Sequence, residues 1–210
     1  MIEVYAYATP NSVKVPIALE ELGLDYSLHP VNVKQGAQKL ERFRTLNPNG
    51  KVPVLVDISP SGERLALSES AAILVYLAER QQALLPSSGR ERARVFEQLF
   101  FHASAVSPSF GNAGFFTKLA AEPQPLAQQR FSAEAKRVTE LLDGLLADRP
   151  FVAGDDYSIA DIAHFGWYWR RAFAGVALDA YPNLSRWYAS VEQRPAVQRA
   201  MARVEALAAA

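Results

Sequence analysis

Two short segments hold the residues best suited to chemistry: Asn47-Pro48-Asn49-Gly50-Lys51-Val52-Pro53-Val54-Leu55 and, a short strand later, Ser68-Glu69-Ser70. The first runs from a turn into a strand through an X-Pro bond, whose cis form lies only about 0.5–1 kcal/mol above trans. A cis bond at Val52-Pro53 turns the Val52 N–H and C=O outwards, where an extended peptide can pair with them as an added strand. A trans proline closing a loop is the plainer reading of the same residues. In the second segment, if Ser70 opens a helix, its hydroxyl and the free N–H groups there form an anion site. Glu69 adds the opposite sign beside it, so the pair suits the ammonium and carboxylate of an α-amino-acid head group. A plain helix cap with a dipole-favoured acid is the alternative. Together the segments suit a small peptide held by its backbone at one point and by its charged end at another.

The elements around them alternate. Ile2 to Tyr7 is a short strand. Val13 to Leu22 is a helix, with Asn11 or Ser12 as N-cap, Pro16 tolerated in the first turn and Gly23 as its stop. Tyr26 to Val33 is an edge strand, since Pro30 cannot donate to a ladder. Gln35 to Leu46 mixes a short helix with loop. Val52 to Ile58 and Arg64 to Leu67 form a hairpin about Ser59-Pro60-Ser61-Gly62. Ser70 to Arg80 is a helix with Ala71, Leu74, Val75 and Ala78 inward. This βαβαββα order is that of a thioredoxin-like α/β domain.

Leu85-Pro86-Ser87-Ser88-Gly89 breaks the pattern. The chain thereby divides into 1–82 and an all-α domain at 89–210, with a linker at about 83–88. Helices are expected from Arg90 to Ser104, Pro125 to Ala147, Ser158 to Arg171, Asn183 to Gln193 and Pro195 to Leu207. A turn-rich break is expected over Ser107-Pro108-Ser109-Phe110-Gly111-Asn112-Ala113-Gly114. Tyr157-Ser158-Ile159-Ala160-Asp161-Ile162 carries a helix-start box. Ser158 and Asp161 cap reciprocally and Tyr157 and Ile162 form a staple, which makes Asp161 a folding residue rather than a catalytic one.

Composition narrows the function. Lys plus Arg and Asp plus Glu number 22 each, which gives no basic excess for nucleic acid or an anionic membrane. No run approaches the ~18 apolar residues of a membrane helix, and the N-terminus lacks a signal-peptide pattern, so a cytoplasmic location is expected. The chain has no cysteine. Disulfides, a protein thiolate nucleophile and thiolate metal sites are therefore excluded, and any thiol chemistry must come from a bound thiol. His29, His102 and His164 have no metal-ligand spacing.

Residues 1–80 resemble the N-terminal domain of the glutathione transferase superfamily, and 90–210 its helical C-terminal domain. The resemblance implies glutathione as co-substrate, with Val52, leading into Pro53, pairing with its cysteinyl backbone. Glu69 would take the γ-glutamyl ammonium and Ser70 the adjacent carboxylate, with Lys51 and Gln38 at the glycyl carboxylate. Thr9-Pro10-Asn11 after the first strand resembles the bacterial nu class, in which a threonine hydroxyl and an asparagine amide face the thiol and disulfide-bond reduction is characteristic. Arg130-Phe131 resembles an arginine that reaches the partner subunit's site, which implies a homodimer. The implied reaction is reduction of a small disulfide by bound glutathione thiolate. Conjugation of glutathione to a small electrophile, or a non-catalytic binding role, are the alternatives.

The sulfur contact itself stays open between Thr9 with Asn11, which are preferred, and Ser12, Tyr5 or Tyr7. A free thiol with pKa near ~8.5 is a few per cent ionised at neutral pH, and lowering it by about two units requires about 2.7 kcal/mol. Neutral donors at a helix start can supply that. Trp167, Tyr168 and Trp169 read as core packing, and Phe115 and Phe116 as candidates for an apolar second-substrate pocket.

Overall fold

The computed structural model describes residues 1–208. Two compact units are present: Met1–Leu85 together with the segment from Gln193 onward, and Pro86–Glu192. In the first, β1 (Ile2–Ala6), α1 (Lys14–Glu21), β2 (Ser27–Pro30), α2 (Glu41–Arg44), β3 (Val54–Ile58), β4 (Arg64–Ser68) and α3 (Ser70–Gln81) follow in chain order. The sheet order is β2-β1-β3-β4, with β1 parallel to β2 and antiparallel to β3, and β3 antiparallel to β4. Pro30 sits on the edge strand, as its missing N–H requires. One sheet face packs Val54 and Val56 against Val31 and Phe43. On α3 the buried stripe is Ile73, Leu74, Leu77 and Ala78, while Ala71 and Val75 are half-exposed.

The second unit contains α4 (Gly89–Phe101), α5 (Ser107–Lys118), α6 (Pro125–Leu145), α7 (Ile159–Trp169) and α8 (Pro182–Glu192). The last helix, α9 (Pro195–Ala206), groups with the first unit, whereas the sequence-based division placed everything from residue 89 in one helical domain. Side chains explain where α9 rests. Arg194 grips Glu21 with two bonds of 2.6 and 2.9 Å, and Arg199 and Arg203 both reach Glu20. Burial alone would raise the Glu20 carboxyl, but these arginines and Tyr26 hold it below its ordinary range.

The break expected at Ser107–Gly114 is instead helical. A single π-helical turn, His102–Val106, joins α4 to α5 without a gap. Pro108 lacks the N–H that an α-helix would bond four residues back, and the π turn lies just before it, in the place where such irregularities are tolerated. The turn-forming side chains bond to their own helix: Ser109 Oγ donates to the Ala105 carbonyl (2.5 Å) and Asn112 Nδ2 to that of Pro108 (2.8 Å). Gly114 is there for space, because a Cβ would lie 2.1 Å from the Phe173 ring.

Among the described residues two Lys, Arg, Asp or Glu side chains, Lys14 and Asp161, are fully enclosed. Asp161 in the second unit accepts from the N–H of Val152, the N–H and hydroxyl of Ser158 and the indole of Trp187, all within 2.9–3.1 Å. The capping box is complete. Burial pushes the carboxyl upward against those four bonds. In the first unit Lys14 is 1% exposed on the inner face of α1. Desolvation pulls its ammonium down to about 7, with Glu69 opposing.

Replacing Asp161 by Ala strands four buried donors and is expected to cost about 3 kcal/mol or more, read as a lower denaturant midpoint. Lys14 gives a pH signature. Its folded pKa lies below the unfolded value, so between about pH 7 and ~10.4 the unfolded chain holds a proton that the folded one lacks. Stability therefore climbs as pH rises through that window and is lost as pH falls towards 7. Unfolding curves of the native chain should show this climb, and Lys14→Met should lack it.

Candidate functional site

The sheet register decides which loops meet. Val54 pairs with Tyr5 on one side and Ser68 on the other. The chain leaving β1, the chain entering β3 and the chain leaving β4 consequently emerge from the same end of the sheet. These are residues 7–13, 51–53 and 69–70, the segments that carry Thr9, Asn11, Lys51, Val52, Pro53, Glu69 and Ser70.

The approach to β3 is built by Asn47. Its Oδ1 accepts from the Asn49 N–H (3.0 Å), its carbonyl from the Gly50 N–H (2.9 Å), and its Nδ2 donates to the Lys51 carbonyl (2.7 Å). Gly50 has φ of 64°, a conformation suited to glycine, with the Gln38 carbonyl 3.2 Å from where a Cβ would stand. The Val52-Pro53 bond is cis. Among the described residues no backbone partner engages the N–H or C=O of Val52, so both remain for a peptide ligand. Lys51 is exposed beside it. A cavity of about 370 Å³ is lined by Gln38, Lys39, Arg44, Pro48, Asn49 and Gly50. The Gln38 Oε1 is buried without a donor. That corner carries two cations and two amides, a setting for a carboxylate.

At the end of β4, Glu69 has φ 66° and ψ 107°, outside the regions that non-glycine residues populate. Such a residue costs about 1–3 kcal/mol and persists only where its surroundings hold it. Its carbonyl accepts the first helical bond, from the Ile73 N–H (3.0 Å), and its side chain stays exposed. No side chain caps the first turn of α3, whose N–H groups stay available to an anion beside the Ser70 hydroxyl.

After β1 the expectation changes in detail. Neither Asn11 nor Ser12 caps α1. The turn is closed by Thr9: its carbonyl accepts from the N–H groups of Ser12 and Val13, and its hydroxyl accepts from the Ser12 N–H (3.2 Å). The Thr9 hydroxyl in turn donates to Ser12 Oγ (2.9 Å). Ser12 is completely buried and its oxygen also accepts from the Tyr7 N–H (3.4 Å), so it supports Thr9 from behind. Tyr7 is buried, and the Tyr5 hydroxyl donates to Glu3 while its ring stacks on His29. Of the five candidates for the sulfur contact, Ser12 and Tyr7 are buried and the Tyr5 hydroxyl is bonded to Glu3, whereas Thr9 and Asn11 are half-exposed in the turn after β1.

Sequence reasoning missed Lys14. Its Nζ donates to Asn11 Oδ1 (2.7 Å) and to Ser70 Oγ (3.3 Å), joining the first and last segments of the site. The available signal was a lysine within the apolar run Val13–Leu19, where a helix face has no call for charge. Arg130 lies exposed on α6 in the second unit. There Phe116 stacks on Phe131, with Phe115 edge-on to Phe116. Trp167 and Tyr168 are buried, as expected of core residues, whereas Trp169, also expected in the core, is half-exposed under the Arg170 guanidinium. His102 and His164 pack edge-on at 5.0 Å. Among the described residues no group of His, Asp or Glu is arranged to hold a metal ion, and no helix is long and apolar enough to cross a membrane.

Comparison with known proteins agrees with this geometry. Residues 8–80 match the family model of the glutathione S-transferase N-terminal domain, and 101–195 that of the C-terminal domain. The disulfide-bond oxidoreductase YfcG of Escherichia coli is 37% identical over 98% of this chain and 96% of its own length. A second Escherichia coli protein, the disulfide-bond oxidoreductase YghU, is 36% identical over 94% of this chain and 73% of its own. A glutathione transferase family member from Pseudomonas fluorescens, solved with two glutathione molecules bound, superposes with a TM-score of 0.89 at 37% identity, over 95% of this chain and 92% of that one. One from Pseudomonas putida, with one glutathione disulfide per subunit, gives 0.87 at 36% identity, over 95% and 90%. With a thioredoxin-like α/β domain, a helical domain and relatives matched along nearly its whole length, this chain belongs to the glutathione S-transferase family.

Proposed function

We propose that this protein is a glutathione-dependent disulfide-bond reductase in which the nucleophile is the thiolate of bound glutathione. The observation that carries the reading is a peptide-shaped set of contacts on a chain without cysteine: Val52 backbone groups open beside a cis proline, an uncapped helix start at Ser70 next to Glu69, and Asn11 with Thr9 at the same end of the sheet. The names of the Escherichia coli relatives and the ligands of the Pseudomonas structures support it.

In this reading Val52 pairs with the cysteinyl backbone, Glu69 takes the γ-glutamyl ammonium and Ser70 its carboxylate. Lys51 and Gln38 hold the glycyl carboxylate. Asn11 donates to the sulfur, Thr9 joins it by turning its hydroxyl hydrogen from Ser12 Oγ onto the sulfur, and both favour the ionised form. The thiolate attacks one sulfur of the substrate disulfide, forming a glutathionyl mixed disulfide and expelling the other half as thiolate. A second glutathione thiolate attacks the mixed disulfide, releasing glutathione disulfide and the second substrate thiol. The chain acts as a homodimer, with Arg130 of each subunit serving the partner's site.

The test is glutathione-dependent reduction of a small disulfide, followed through NADPH oxidation by coupled glutathione reductase. Turnover well above uncatalysed exchange is expected. Ser70→Ala should weaken glutathione binding about tenfold or more, the loss of one hydrogen bond to a charged group. Asn11→Ala should lower kcat by a similar factor while the glutathione Kd stays nearly unchanged. Background disulfide reduction together with rapid consumption of 1-chloro-2,4-dinitrobenzene would move the assignment to conjugation.

A further inference from the structure

The position of Lys14 in the core does not call for a charged side chain. It lies on a helix face otherwise made of Val13, Val15, Ile17 and Ala18, where an apolar side chain of similar length would pack without a charge to desolvate. Its ammonium reaches two side chains that are 59 residues apart in sequence and belong to different elements, Asn11 beyond β1 and Ser70 at the start of α3. Those are the residues assigned above to the thiol and to the γ-glutamyl carboxylate.

An ammonium is a donor only. By donating to Asn11 Oδ1 it fixes the hand of the carboxamide: the oxygen faces inward and the N–H₂ faces away, where it can donate to a ligand. The reversed amide would set N–H₂ against N–H₃⁺. The same logic applies to Ser70. Its oxygen accepts from Lys14, so its hydroxyl hydrogen is left to donate. Where Lys14 carries its proton, at about pH 7 and below, one buried cation thus turns two neutral, ambivalent groups into donors and places a positive charge behind both.

We propose that Lys14 is a positioning residue that presets Asn11 and Ser70 to donate to two anionic groups of one ligand, the thiolate and the α-carboxylate of glutathione, and so couples occupancy of the carboxylate end to ionisation of the thiol. This inference rests on the glutathione reading above. It extends that reading to a residue that touches neither reacting atom.

The experiment follows the ultraviolet thiolate absorbance of bound glutathione against pH in the native chain, Lys14→Met and Lys14→Gln; glutamine keeps an N–H donor without the charge. In both variants the bound thiol pKa should rise by about one unit or more. Loss of kcat/KM should be about tenfold below pH 7 and should fade at high pH, where the thiol ionises unaided. In an Asn11→Ala background the Lys14→Met change should shift the thiol pKa much less, because the two act as a unit. Binding of S-methylglutathione, which has no thiol to ionise, should weaken in Lys14→Met but not further in Lys14→Met/Ser70→Ala. A thiol pKa unmoved in both variants, with a pH-independent activity loss that tracks a lower Tm, would make Lys14 merely structural and overturn the proposal. Native protein that binds no glutathione, or leaves its thiol at the solution pKa, would overturn the glutathione reading itself.

Discussion

Everything at the site depends on the pairing of Val54 with Tyr5 and Ser68 at once. Side-chain and backbone directions in a strand repeat every two residues, so a slip of one would turn Val54 and Val56 out of their cluster with Val31 and Phe43. Burial of that face locks the register, and the register brings three loops to one end of the sheet. The ligand contacts are therefore set by the core: the loops hold polar groups, and the strands decide where those groups stand.

Two features of that end are unfavourable when considered alone. Glu69 holds a backbone conformation that costs about 1–3 kcal/mol, and Lys14 buries an amine that desolvation drives towards neutrality. A sequence selected for stability alone would place glycine or asparagine at 69 and leucine or methionine at 14. The two are linked, since Glu69 supplies the negative charge that opposes the loss of the Lys14 proton. A strained acid just before α3 and a buried base on α1 whose amine reaches Ser70 form an arrangement whose benefit must come from a bound ligand.

What the sequence disclosed was local. Val52-Pro53, Glu69-Ser70 and the Ser158–Asp161 box each act within a few residues, so composition and spacing suffice to see them. Lys14 stayed hidden because its meaning lies in Ser70, far along the chain, and a periodicity argument treats one lysine in an apolar run as noise. The stretch Ser107–Gly114 was misread for a related reason. Ser, Asn, Pro and Gly signal turns only when their side chains compete with the helix. Here Ser109 and Asn112 bond back to carbonyls four residues earlier, and Gly114 makes room for Phe173. The grouping of α9 with the first unit was equally illegible, because it depends on Arg194, Arg199 and Arg203 finding Glu20 and Glu21 173–183 residues before them.

The absence of cysteine gives the site its logic. An enzyme that supplies its own thiolate must protect a reactive, oxidisable group between turnovers. A chain that borrows the sulfur needs only donors that are aimed before the ligand arrives, and neutral donors are ambivalent until something fixes them. Thr9 is held in place by Ser12, whose N–H it accepts and whose oxygen takes its hydroxyl hydrogen until a thiolate replaces that acceptor. Asn11 and Ser70 are fixed by Lys14. Thr9, Asn11 and Ser70 thus each have a buried polar residue behind them, on α1 or in the turn leading into it, and that inner layer, rather than the exposed residues alone, makes the end of this sheet a place where a thiol can ionise.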